Sequence, residues 1–184
     1  MNTSTLETVS PTDLLRADHD RLKDLFREFD DADFSARKAI AREAVQLLQN
    51  HDSVEQKLFY PFCREISEDA ELLVLRAEEA HHAMNLALAE MLVMPFSDRY
   101  FAKFHTLKQA VLAHMREEEN EIFPIVDRSG ADVAELGRDM ARLRQGLESR
   151  GIVARAARGG AGVLFGAGLL AAVGYGIYAY FQED

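Results

Sequence analysis

Residues 51–62 recur 63 positions later: His51 falls on His114, Glu55 on Glu118 and Pro61 on Pro124. A shift of 62 does the same for an earlier stretch. It carries His19 onto His81, and Leu22, Leu25, Phe26 and Phe29 onto Met84, Ala87, Leu88 and Met91. The chain therefore reads as two related halves. Each has a histidine in its first apolar-periodic segment and a His-x-x-x-Glu pair in its second. Four residues on an α-helix turn through 400°, so the members of each pair lie about 40° apart on one face and roughly 6 Å apart along the axis. Imidazole with carboxylate suits borderline first-row metals such as iron. Two such pairs on two helices can enclose two ions.

The apolar spacing places these groups on helices. Ser10-Pro11-Thr12-Asp13 is a helix start, with Ser10 as N-cap. The helix reaches about Phe29, and His19 shares a stripe with Leu15, Leu22, Leu25, Phe26 and Phe29. Ser35 can cap a second helix, with Ile40, Ala44, Leu47 or Leu48, His51, and Val54 or Glu55 inward, until Pro61 breaks it near Phe59. A third follows Ser67-Glu68-Asp69 to about Val93. Ser97 can cap a fourth, which Pro124 closes near Ile122. Short connections favour an all-α, up-down-up-down antiparallel four-helix bundle. Val133, Leu136, Met140, Leu143 and Leu147 make the narrow seam of a short fifth helix. The expected organisation is a flexible N-terminus over 1–11, the bundle over 12–127, a short helix and basic linker over 128–158, a transmembrane helix over 159–181 and a tail over 182–184.

The candidate metal ligands are His19, His51, Glu55, His81, His114 and Glu118. A lone histidine on an apolar face is usually a satisfied core residue. Six polar groups on the inward stripes of four helices are different, since each would cost several kcal/mol to bury unpartnered. A metal removes that cost. His81 and His82 cannot both face inward, being 100° apart, and the stripe Ala77, Met84, Leu88, Met91 favours His81. His105 lies half a turn from His114 and should face solvent. Tyr60 and Phe123 are expected to close the bundle end rather than donate to metal. At least one of Glu117, Glu118 and Glu119 should be solvated.

The pattern resembles the hemerythrin-like, or HHE cation-binding, family over about residues 12–127. The residues that carry the resemblance are His19 within Ala-Asp-His-Asp-Arg-Leu, His51-x-x-x-Glu55 followed by Leu-Phe-Tyr-Pro, His81-His82, and His114-x-x-x-Glu118-Glu119 followed by Ile-Phe-Pro. The resemblance implies a hemerythrin-like four-helix bundle around two iron ions joined by an oxo or hydroxo bridge, iron being preferred over zinc or manganese. Glu55 and Glu118 would be bridging carboxylates and the histidines terminal ligands. The oxygen carriers of the family offer a second histidine one turn before the position of His81, where this chain has Ala77. Glu78, His82 or a water would have to fill that gap. The carriers' last carboxylate would correspond to Glu119, and the sister branch's to Glu118. These departures point away from reversible oxygen carriage. They suit a centre that binds or reacts with dioxygen (O2), peroxide or nitric oxide (NO), either as an oxidoreductase or as a module that senses iron or oxygen and signals to a partner without turnover.

Gly159 to Phe181 is 23 residues without a charge, about 35 Å as a helix and enough to span a hydrocarbon core of about 30 Å. Its glycines are tolerated in a membrane helix, and Tyr175, Tyr178 and Tyr180 gather near one end as at an interface. Arg144, Arg150, Arg155 and Arg158 precede the segment and only acids follow it. The expectation is a single-pass membrane protein with its N-terminal bundle on the cytoplasmic side. The stripes Gly162-x-x-x-Gly166 and Gly168-x-x-x-Ala172-x-x-x-Gly176 permit a homo-oligomer through the tail. Of the net charge of −10, residues 159–184 supply only Glu183 and Asp184, leaving −8 on the body, a poor partner for nucleic acid.

Overall fold

The structure is a computed structural model that describes the backbone of residues 9–160 and the side chains of residues 9–150. The described residues are helical and contain no strand. Helix α1 spans Pro11–Asp31 and α2 spans Phe34–Val54. The two-residue connection forces them to run antiparallel. The cap of α2 is Asp33, which accepts from the Ala36 amide at 2.9 Å, while Ser35, the expected cap, donates its hydroxyl to Asp33 at 2.7 Å. Helix α4, Ala70–Val93, and α5, Asp98–Glu117, form the second antiparallel pair. Ser97 caps α5 through the Tyr100 amide at 3.4 Å. Ser10 occupies the N-cap position of α1, but its hydroxyl contacts Thr12 instead of a backbone amide.

Proline does not end the second and fourth rods of the bundle. One π-helical turn, Glu55–Phe59, carries α2 into α3, Tyr60–Ile66. Another, Glu118–Ile122, carries α5 into α6, Phe123–Arg128. The amides of Tyr60 and Phe123 reach back five residues, to the carbonyls of Glu55 and Glu118. Pro61 and Pro124 then sit in the first turn of the following helix, where a missing N–H costs nothing. The two π turns are 63 residues apart, so the repeat seen in the sequence extends to this irregularity of the backbone.

The core is two apolar clusters with a polar layer between them. One contains Leu22, Leu25, Phe26, Phe29, Ala44, Leu88, Phe104 and Val111 at the end where α1 meets α2 and α4 meets α5. The other contains Leu14, Leu15, Val54, Phe59, Cys63, Val74, Phe123 and Met140 at the opposite end. Met140 belongs to the last helix, α7, Ala134–Gly160. At 27 residues it is not the short fifth helix that the apolar seam predicts. Residues beyond Leu147 extend it because they are rich in Ala and Arg, strong helix formers, and include no proline. Apart from Gly159 and Gly160, the expected transmembrane segment 159–181 lies outside the described residues, as do residues 1–8 and the tail 182–184. Among the described residues, no helix is long and apolar enough to cross a membrane.

Candidate metal centre

The polar layer is built by His19 from α1, His51 from α2, His81 from α4, His114 from α5, and Glu55 and Glu118 at the first residues of the two π turns. All six are buried, none more than 4% exposed. The four Nε2 atoms converge in pairs: His19 and His51 at 3.1 Å, His81 and His114 at 2.6 Å. A hydrogen bond between two neutral rings brings ring nitrogens this close, and a cation shared between them would also keep them near one another. Glu55 offers Oε1 to His51 at 3.1 Å and Oε2 to His81 at 3.4 Å. Glu118 sets Oε2 at 3.5 Å from His19 and 3.3 Å from His114. The result is two overlapping donor sets, His19-His51-Glu55-Glu118 and Glu55-His81-His114-Glu118, with both glutamates common to each.

Several of these buried atoms have no hydrogen-bond partner: both oxygens of Glu55, Oε2 of Glu118, and Nδ1 of His51 and His114. Leaving so many polar atoms desolvated is costly unless something else binds them. A cation between the two carboxylates fits the deficit of the three carboxylate oxygens. It also fits the charges, because Glu55, pushed up by burial and by Glu118, faces a second carboxylate at close range.

The far sides of the rings fix which nitrogen points inward. His19 Nδ1 donates to Glu119 at 2.8 Å, and Lys23 holds the same carboxylate at 2.9 Å. His81 Nδ1 donates to Asp52, which Gln56 and Asn85 also hold. His51 Nδ1 lies 3.5 Å from Asp18, whose other oxygen meets Arg144 of α7 at 2.5 Å. These outer carboxylates turn Nε2 of three rings toward the ion sites. His114 has none, because the repeat puts Ala80 where the first half has Asp18. Burial, with the other histidines nearby, lowers His114 to about 4, so it is a neutral donor. Burial also opposes charge on His51 and His81, but Glu55 with Asp18 and Asp52 outweighs it and raises both.

Of the remaining candidates, Glu119 lies outside His19 as its partner. Glu78 is held away by Arg64 through bonds of 3.0 and 2.7 Å, and His82 and His105 are exposed. None of them fills the gap at Ala77. A water-sized cavity of about 10 Å³ is there instead, lined by Ala77, His114 and Glu118 and leading out past Arg76, Glu117 and Glu121.

Tyr60 packs in the end cluster as expected, and it also reaches further. Its hydroxyl is in the centre, donating to Glu118 Oε1 at 2.7 Å and standing 3.2 Å from His81 Nε2. On a regular α-helix, the fifth residue after Glu55 would point about 140° away. The wide π turn closes one residue late and brings it back over Glu55. Phe123, its counterpart in the repeat, stacks on His19 with centroids 5.5 Å apart. An aromatic-proline pair inside a rod that stays helical is the sequence signal that could have found both.

The model of the hemerythrin HHE cation binding domain matches residues 10–126. The chain belongs to the hemerythrin HHE cation-binding family. The matched span contains all six residues of the layer just described. The fold also resembles the crystal structure of a hemerythrin HHE cation binding domain-containing protein from Mycobacterium kansasii. That likeness has a TM-score of 0.67 at 24% identity, covering 79% of this chain and 91% of the other. Among curated proteins, none matches the chain. The HHE fold and its paired His/Glu clusters make this a metal-binding module.

Proposed function

We propose that this protein holds two iron ions between the donor sets and binds or reacts with dioxygen, peroxide or nitric oxide. The observation that carries the reading is that Glu55 and Glu118 belong to both sets, so that two ions held there would stand close enough to act on one small ligand. Such a pair, when bound, supplies redox equivalents and coordination positions for a diatomic or a peroxide. The chain's own residues set the conditions. The cavity at Ala77 admits a molecule the size of water to the His114 side. Burial, with Glu55 and Glu118 next to it, raises Tyr60 well above its ordinary value, so its hydroxyl keeps a proton and donates it to Glu118. Leu15, Val54, Phe59 and Phe123 exclude bulk water from one side of the layer.

Iron per chain, with the optical spectrum of anaerobically purified protein, tests this. Wild type should hold close to two iron ions, and His51→Ala or His114→Ala should each lose most of them. Zinc in their place, or full iron in both variants, would sink the reading.

We further propose a single-pass membrane tether through residues 159–181 with the bundle on the cytoplasmic side, supported by the 23 uncharged residues and the arginines before them. The small-residue stripes there suit self-association. A sensing role is the second reading. It is favoured by Arg144, which joins α7 to Asp18 and so to the ligand His51. Peroxide turnover above a free-iron background separates reaction from sensing.

A further inference from the structure

Helix α4 has an apolar inner face and an outer face that is apolar at both ends. Its inner face supplies Val74, Ala77, His81, Met84, Leu88 and Met91 to the core. Its outer face carries Leu72, Leu75, Glu79, His82, Leu86, Ala89 and Val93. The steps along that outer row are 3, 4, 3, 4, 3 and 4, the seam spacing that pairs one helix with another. Leu72 is 66% exposed, Leu75 45%, Leu86 53% and Val93 71%. Two groups of exposed apolar side chains on one helix row are a pattern that partner surfaces show, whereas single exposed leucines are ordinary. At the centre, Glu79 and His82 are exposed, with no hydrogen-bond or ion-pair partner among the described residues.

We propose that this face of α4 is a homodimer interface in which α4 packs antiparallel against α4 of a second copy. The order of residues is self-complementary about one point. A two-fold axis crossing the helix between Ala80 and His81 sets Glu79 against the partner's His82, Leu75 against the partner's Leu86 and Leu72 against the partner's Ala89. The polar residues then meet as two hydrogen-bonded pairs of opposite character, flanked on both sides by leucine layers. Other arrangements lose this. Sliding by one heptad sets Glu79 against Ala89 and His82 against Leu86, burying both polar groups without partners. Parallel pairing sets Glu79 against Glu79 and His82 against His82. A polar pair at the centre of an apolar seam is a known device for fixing register, and an isologous contact needs one patch that complements itself.

The test uses the full-length chain in mild detergent. Leu75→Cys/Leu86→Cys should give a covalent dimer on mild oxidation, at least tenfold more than either single variant. In a single variant, the two copies of the thiol are far apart along the pair. The native Cys63 is buried and does not compete. Glu79→Lys should lower the dimer fraction in sedimentation at least several-fold, and Glu79→Lys/His82→Glu should restore it. A monomeric wild type, a double-cysteine variant no better than the singles, or a dimer unaffected by Glu79→Lys would overturn the proposal. The last result would assign self-association to the tail.

Discussion

The six buried donors of the layer are held by fewer outer groups than a symmetric layer would use, and the difference is measurable. Asp18 is buried, faces His51 Nδ1 at 3.5 Å and meets Arg144 at 2.5 Å. Asp18→Asn keeps its shape but removes the charge that turns the imidazole. Outer-shell losses of this kind cost roughly 10–100-fold in metal affinity, so iron should pass to a competing chelator that much more readily. An unchanged affinity would show that His51 is oriented by packing alone. The gap at Ala77 makes a separate statement. Ala77→Val fills a cavity of about 10 Å³ beside His114 and Glu118. Iron per chain should stay at the wild-type level, while the optical change on adding nitric oxide should slow several-fold. Equal rates would mean that the ligand reaches the centre by another route.

The elements that decide most are the two π turns and α7. Each π turn accommodates a proline that would otherwise end a rod, and each points an aromatic residue at the layer. Helix α7 closes the bundle end with Met140 and passes so close to the start of α1 that Gly137 has no room for a side chain. A Cβ there would stand 2.0 Å from the carbonyl oxygen of Val9. Gly137→Ala should therefore destabilise the protein by about 1–3 kcal/mol, as overpacking does, despite the better helix propensity of alanine. Gly146, also in α7, has nothing within 4 Å of its own Cβ position. Gly146→Ala should be neutral or stabilising by up to about 1 kcal/mol. Thermal melts of the two variants side by side check this, and equal shifts would refute the close contact.

At the scale of the whole molecule, a bundle with an acidic surface precedes 23 uncharged residues. The full chain should sediment with membranes without detergent, and a chain ended after Gly151 should stay in the high-speed supernatant. Full-length protein in that supernatant would remove the tether. The sequence by itself determined the bundle and its six inward donors. Ligand type and helical period are local properties, and the 63-residue repeat states them twice. Position in space separated residues that look alike in the chain: His81 from His82, and Glu118 from Glu119, by which of each pair the neighbouring helices bury. The place of Tyr60 was beyond a regular helical count, because a single wide turn, stabilised only by the packing around it, changes where every later side chain points. The outer carboxylates Asp18 and Asp52 and the link to Arg144 likewise come from helices meeting across the bundle. No spacing within one helix encodes them.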